Sequence, residues 1–137
     1  KNPRHIGIGY LKGYGLKSGA VATSVAHDSH NIICVGTNDE DMAFAVNRIA
    51  RNRGGIVVVE NGQVLAELPL EIAGIISGKP LREVNTLLED AKKAAHALGV
   101  GTDIDPFMTL SFMSLPVIPT LRLTTRGVVD VNTQQYV

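Results

Sequence analysis

Residues 56–68, IVVVENGQVLAEL, set Asn61–Gly62 between two apolar runs. The central positions of a tight two-residue hairpin turn need positive φ, which Asn and Gly tolerate best. The pair therefore predicts a β-hairpin, out along 56–60 and back along 63–68. A lone hairpin is marginal in water and needs more strands, or a helix, against its apolar face. The rest of the chain has to supply them. Residues 20–26 (AVATSVA) and 31–35 (NIICV) read as a second hairpin, with a tight polar tip, His27-Asp28-Ser29-His30, between its strands. Residues 4–11 (RHIGIGYL) alternate apolar and small residues and read as a further strand, followed by the glycine-rich turn KGYGLKSG.

Helices are expected to cover this sheet. Asn38 predicts an N-cap, and Asp39, Glu40 and Asp41 place negative charge in the first turn, where the helix dipole favours it. Met42, Ala45, Val46, Ile49 and Ala50 recur on one face. Arg48, Arg51 and Arg53 gather at the C-terminal end, and Gly54–Gly55 are the expected stop. Pro80 opens a longer helix over residues 80–98, ended by Gly99, with Leu81, Val84, Leu87, Leu88, Ala91, Ala95 and Leu98 as its apolar stripe. Arg82, Glu83, Glu89, Lys93 and His96 lie off that stripe. Asp105 and Pro106 predict the cap and first position of a short helix within 105–114. Residues 69–78 fit either a short helix or a buried connection. Prolines bar a central strand at 115–119, while 121–123 and 128–131 are expected to pair at an edge. There is no internal repeat and no low-complexity linker. The expectation is an α+β fold over a single domain, residues 1–137, with a mostly antiparallel sheet built from hairpins and helices packed on its faces.

Composition narrows what such a domain does. Charged residues are 19% and apolar residues 45%, enough for a core, and with aromatics at 4% that core must be aliphatic. Formal net charge is zero and no basic run occurs, against a nucleic-acid surface. No apolar run reaches the roughly 20 residues a membrane span needs. The single cysteine, Cys34, cannot form an internal disulfide, so a reducing, cytoplasmic setting is expected.

The densest group of chemically capable side chains is His27, Asp28, Ser29, His30 and Asn31, between apolar runs. Polar groups so placed must find partners or do chemistry. His27, Asp28 and His30 are all metal-ligand types, but His27 and His30 would face opposite ways in a continuous strand, and the other histidines are His5 and His96. A catalytic metal wants at least three protein ligands. For the chain alone, the favoured reading is a turn whose Asp28 and Ser29 bond backbone amides while the imidazoles pair with carbonyls. No metal site is expected on this chain. Gly13, Gly15 and Gly19 give G-x-G-x-x-x-G, one residue longer than the dinucleotide fingerprint and followed by a strand instead of a helix, so a flexible turn is expected. A lone cysteine excludes the cytidine-type zinc deaminases, and Cys34 reads as a small packed hydrophobe. Phe44 falls off its helix's apolar face near Arg48, either as an ordinary exposed aromatic or as a contact with another domain or subunit.

One long stretch goes further. The run GAVATSVAHDSHNIICVGTNDEDMAFAVN, followed in order by GGIVVVENGQVLAELPLEIAGIISGKP and PFMTLSFMSLPVIPTLRLTTRGVVDV, resembles the C-terminal domain of bacterial and archaeal adenine deaminases of the amidohydrolase superfamily. The likeness covers about residues 5–131. It implies a parent enzyme of purine salvage that hydrolyses adenine to hypoxanthine and ammonia. It also implies an iron or manganese two-metal centre in an upstream (β/α)8 barrel, where a bridging water is activated. The chain has no H-x-H motif, so the resemblance implies that the catalytic barrel and its metals lie outside it, and Lys1 as first residue accords with a trailing domain. Two positions depart from the family pattern: Glu71, where Pro is usual, and Thr120, where Glu is usual.

The partners implied are the upstream barrel of the same polypeptide, a second copy in a homodimer, and a purine bound by the whole enzyme. Two roles follow for the domain. Most of it is expected to act as a scaffold for barrel and assembly. The His27–Asn31 tip is its candidate active-site element, because Asn and Asp pair with purine edges and His shuttles protons. The isolated chain is expected to be inactive. The alternative is a free-standing small-molecule or metal-binding domain without catalysis.

Overall fold

A computed structural model describes residues 5–137 of the chain. Its central hairpin is the one the Asn-Gly pair predicts. Asn61 (φ 51°) and Gly62 (φ 70°) turn the chain between β3 (Gly55–Glu60) and β4 (Gln63–Pro69). Val58 pairs with Ala66 and Val57 with Glu67, and a register shift follows between Val58 and Val59. On its other edge β3 pairs antiparallel with β1 (Ala20–Thr23), Val58 opposite Val21. β2 (Ile33–Gly36) closes that side, giving an antiparallel four-stranded sheet ordered β2-β1-β3-β4.

Alternation along the strands divides the side chains between two faces. Val21, Ile56, Val58 and Leu68 pack with Ala91, Ala95, Leu98, Phe107 and Leu110. Those last five come from α2 (Leu81–Ala97), its cap Leu98, and α3 (Pro106–Ser111). Ala20, Ala22, Val57 and Val59 pack with Ala45 and Ile49 of α1 (Asp39–Asn52). The aliphatic sheet is thus covered on both faces, as the α+β reading expects.

Polar clamps fix the helices. The Asn38 side chain accepts the Asp41 amide at 2.8 Å and caps α1. Asp41 is only 2% exposed. Its carboxylate accepts the Asn38 side-chain amide at 3.0 Å and the Asn61 and Gly62 amides at 3.2 and 2.8 Å. One carboxylate thereby ties the start of α1 to the β3–β4 turn. At the other end Arg48 donates to both Glu67 oxygens at 2.8 and 2.6 Å, and Asn52 adds a bond at 2.8 Å, joining α1 to β4. In front of α3 the Asp105 carboxylate accepts the Phe107 and Met108 amides at 3.0 and 2.9 Å and pairs with Lys92 of α2 at 3.0 Å.

Several expectations need correction. The helix stop falls one residue early: Arg53 itself adopts the left-handed conformation (φ 64°), ahead of Gly54. Leu81 is 83% exposed and leaves the apolar stripe of α2, which is fully buried only further along, at Ala91 and Ala95. Residues 70–78 are neither helix nor buried connection. Leu70 is buried, but 71–73 are exposed, and the turn is closed by an Ile72–Ile76 bridge. Of the strand expected at 4–11, Arg4 lies outside the described residues and 5–11 form no strand. That segment instead lies on a second sheet, β5 (Leu121–Thr124), β6 (Gly127–Asp130) and β7 (Gln135–Tyr136), with Gly7 against Thr124. The β5–β6 pair is the expected edge hairpin, while β7 has too little sequence pattern to be foreseen.

Asp41 gives this clamp a pH signature. The Asn38 side chain first, then the Gly62 and Asn61 amides, hold its carboxyl below the usual 3.8, against the effect of burial. Its stabilisation is therefore present above the unfolded-state pKa and lost as pH falls through the lower folded value. Asp41→Asn is expected to lower Tm by several degrees at neutral pH. In thermal melts taken down to about pH 2, the gap to the unsubstituted protein should narrow once pH drops below about 4. Parallel curves across that range would refute the clamp.

Candidate functional site

The polar segment belongs to the connection between β1 and β2, residues 24–32. It is longer than the tight tip the sequence suggests, because the chain leaves the sheet early to meet other elements. Ser24, 5% exposed, donates from its hydroxyl to the Gly74 carbonyl and accepts the Gly55 amide at 2.7 Å. The His27 amide donates to the Ser111 carbonyl at the end of α3 at 2.8 Å. The Ser114 hydroxyl donates back to the His27 carbonyl at 3.2 Å. The His27 ring lies against Phe112, centroids 4.9 Å apart.

Beyond His27 the loop closes on itself. The His30 amide donates to the Ala26 carbonyl at 2.6 Å, and the Ala26 amide donates to His30 Nδ1 at 3.3 Å. Nδ1 is thus the acceptor nitrogen, which leaves Nε2 to carry the proton in the neutral ring. His30 has φ 47°, a left-handed conformation uncommon outside glycine. The Asn31 side-chain amide donates to the Ser29 hydroxyl at 2.8 Å. The rings of His27 and His30 stand edge to face at 5.8 Å. Asp28, Ser29, His30 and Asn31 are exposed, and His27 is half-buried. The structure therefore brings the two histidines together through a turn, as continuous-strand geometry could not. The imidazole pairing with carbonyls does not occur as expected: His30 accepts from an amide and His27 stacks on an aromatic ring.

His30 also borders an open groove of about 440 Å³. Ser24, Ile32, Ile49, Arg53, Glu71 and Gly74 line it too. The groove exists because the 70–78 turn docks onto the end of α1. A Cβ on Gly54 would stand 2.3 Å from the Gly74 Cα, so only glycine permits that approach. The Leu70 amide donates to the Gly54 carbonyl at 3.1 Å and holds it there. Glu71 accepts the Gly78 amide at 3.1 Å. Its own amide first, then the Gly78 amide, then the charge of Lys79 keep its carboxyl below the usual carboxylate range, against desolvation. His30, Arg53 and Glu71 thus line one concavity, a residue set suited to hydrogen-bonding a polar ligand.

Sequence reasoning missed Ser24, Arg53, Glu71 and Phe112. A serine inside an apolar strand was the available signal for the first, and the departure at Glu71 for the third. Nothing local marks Phe112. Phe44 is 39% exposed, beside Arg48 and Arg51. Cys34 packs beneath α1, and burial pushes its thiol up to about 12, which leaves it protonated and unreactive at neutral pH. Among the described residues, no three His, Cys, Asp or Glu side chains come together to hold a metal ion. Among them, too, no helix is long and apolar enough to cross a membrane.

Taken together, a helix-covered antiparallel sheet that presents a polar loop beside a groove defines an α+β domain with a candidate binding face. Its family is settled by comparison: residues 1–135 match the adenine deaminase C-terminal domain, and the chain belongs to that family. The adenine deaminase of Nitratidesulfovibrio vulgaris Hildenborough is 52% identical over 133 residues, 96% of this chain and 23% of the relative. That of Dehalococcoides mccartyi is 55% identical over 128 residues, 93% of this chain and 22% of the relative. That of Bacillus subtilis strain 168 is 45% identical over 137 residues, 100% of this chain and 24% of the relative. The chain thus spans about a quarter of the length of these curated relatives.

The left-handed backbone at His30 makes a stability prediction independent of function. Asn tolerates that conformation and β-branched residues do not. His30→Asn is expected to change stability by under about 0.5 kcal/mol, and His30→Ile to cost about 1–2 kcal/mol, in chemical denaturation. Equal effects of the two variants would show that the loop does not hold this geometry.

Proposed function

We propose that this chain is the C-terminal domain of a cytoplasmic adenine deaminase that hydrolyses adenine to hypoxanthine and ammonia. The observation that carries the reading is the family match over residues 1–135, with adenine deaminases 45–55% identical across nearly the whole chain. In this reading the chemistry, with its iron or manganese, belongs to an upstream barrel, in line with the chain's covering only about a quarter of its relatives' length.

Its own contribution is positional. Most of the domain serves as a scaffold that supports the barrel and a homodimer. The His27-Asp28-Ser29-His30-Asn31 loop serves as a rim of the purine site. What supports this is the combination of a backbone anchored at His27 and His30 with exposed donors and acceptors at Asp28, His30 and Asn31. Adenine offers ring nitrogens and an amine along one edge, which such groups complement. A preordered rim contributes because little conformational entropy remains to be lost on binding.

The test uses the full-length gene product. His30→Asn keeps the loop's backbone and removes the imidazole. It is expected to lower kcat/KM for adenine about tenfold, equivalent to about 1.4 kcal/mol, with Tm unchanged. An unaltered kcat/KM at unaltered Tm would remove the rim role. The 137-residue chain alone should show no adenine turnover, and measurable turnover by it would overturn the division of labour.

A further inference from the structure

Residues 6–10 hold the largest mismatch between side-chain chemistry and surroundings. Ile6 is 71% exposed, Ile8 82% and Tyr10 108%. The residues between them are glycines, and these face the protein. A Cβ on Gly7 would stand 1.8 Å from the Thr124 carbonyl oxygen. A Cβ on Gly9 would meet Val128 and Leu123 at 3.3 and 3.5 Å. The segment is therefore an extended arm laid on the β5–β6 hairpin by its glycine face. The alternation that reads as a strand in the sequence is real, but its apolar side points away from the molecule. Single exposed apolar residues are ordinary; three in register on one arm mark a surface built to be covered.

The comparisons bear on what covers it. In the relatives this domain is 22–24% of the polypeptide, and the family is defined as C-terminal. The bulk of such a polypeptide precedes the domain and joins it through the arm. A partner tethered at that point acts at a high effective concentration, on the order of millimolar for a short link, which a second copy in dilute solution does not match. We propose that Ile6, Ile8 and Tyr10 form the docking strip against which the upstream part of the same polypeptide packs. This rests on the reading of the chain as an adenine deaminase domain.

Hydroxyl-radical footprinting of the unsubstituted protein tests it without depending on a variant that folds. Tyr10 and Ile8 should be oxidised readily in the 137-residue chain and protected several-fold in the full-length product. In parallel, Ile8→Asp should lower Tm of the full-length product by several degrees and leave the 137-residue chain unchanged. Equal labelling in both proteins overturns the proposal. So does protection in the 137-residue chain that grows with its concentration, since the occupant is then a second copy. Adenine hydrolysis is assayed on the same full-length preparation. Turnover without protection sinks the docking strip alone, whereas protection without turnover supports the strip and sinks the deaminase reading.

Discussion

β1 has no solvent side. Ala20, Val21, Ala22 and Thr23 are all fully buried, with β2 and β3 on the strand's two edges and helices over both faces of the sheet. A strand enclosed on four sides demands small side chains where a helix comes close. Ala20 and Ala22 meet that demand beneath α1, whose own contact residues are Ala45 and Ile49. It also demands that each polar group find a partner at once. Thr23 is buried, and its hydroxyl accepts the Val25 amide at 3.0 Å as the chain departs. Ser24 follows with bonds to Gly55 and Gly74. The candidate site begins where this enclosed strand ends, so its position is a consequence of core packing.

From there the geometry is carried by a few polar ties of long sequence separation. Ser24 secures the 70–78 turn, and Ser111 and Ser114 secure His27. A buried hydroxyl left without its partner costs about 1–3 kcal/mol, comparable to deleting a methyl group or two from the core. Such ties stabilise the fold modestly while specifying it closely. They restrict which groups the loop presents: the loop is held through the His27 and His30 backbone and through His30 Nδ1, while the Asp28, His30 and Asn31 side chains stay exposed. An anchored backbone with exposed polar side chains is the arrangement expected of a surface that recognises a ligand.

The features legible in the sequence are those decided within a few residues. Asn61–Gly62, the Asn38 cap and the Asp105–Pro106 start all depend on local geometry, and all stand as read. Features set by distant contacts were not legible. The width of the 24–32 connection depends on Ser111 and Ser114; the course of 70–78 depends on Gly54; the exposure of Leu81 depends on where α2 meets the sheet. The segment expected as a strand at 4–11 gives the clearest case, since over 5–11 the alternation is present but no strand forms and the apolar side faces outward. A period of two states that two faces differ, and only the neighbouring hairpin decides which is inward. Of the site, the His27–Asn31 cluster was legible by composition, whereas Arg53, Glu71 and Phe112 join it only in three dimensions.

The central claim is that the polar loop is a fixed platform held by the core, and amide hydrogen exchange of the 137-residue chain addresses it most directly. The His27 amide, bonded to Ser111, and the His30 amide, bonded to Ala26, should be slowed at least about a hundredfold relative to an unstructured peptide. Exchange of both at the unstructured rate, with Val21 and Val58 protected, would mean that the core folds without fixing the loop, and the account would fail.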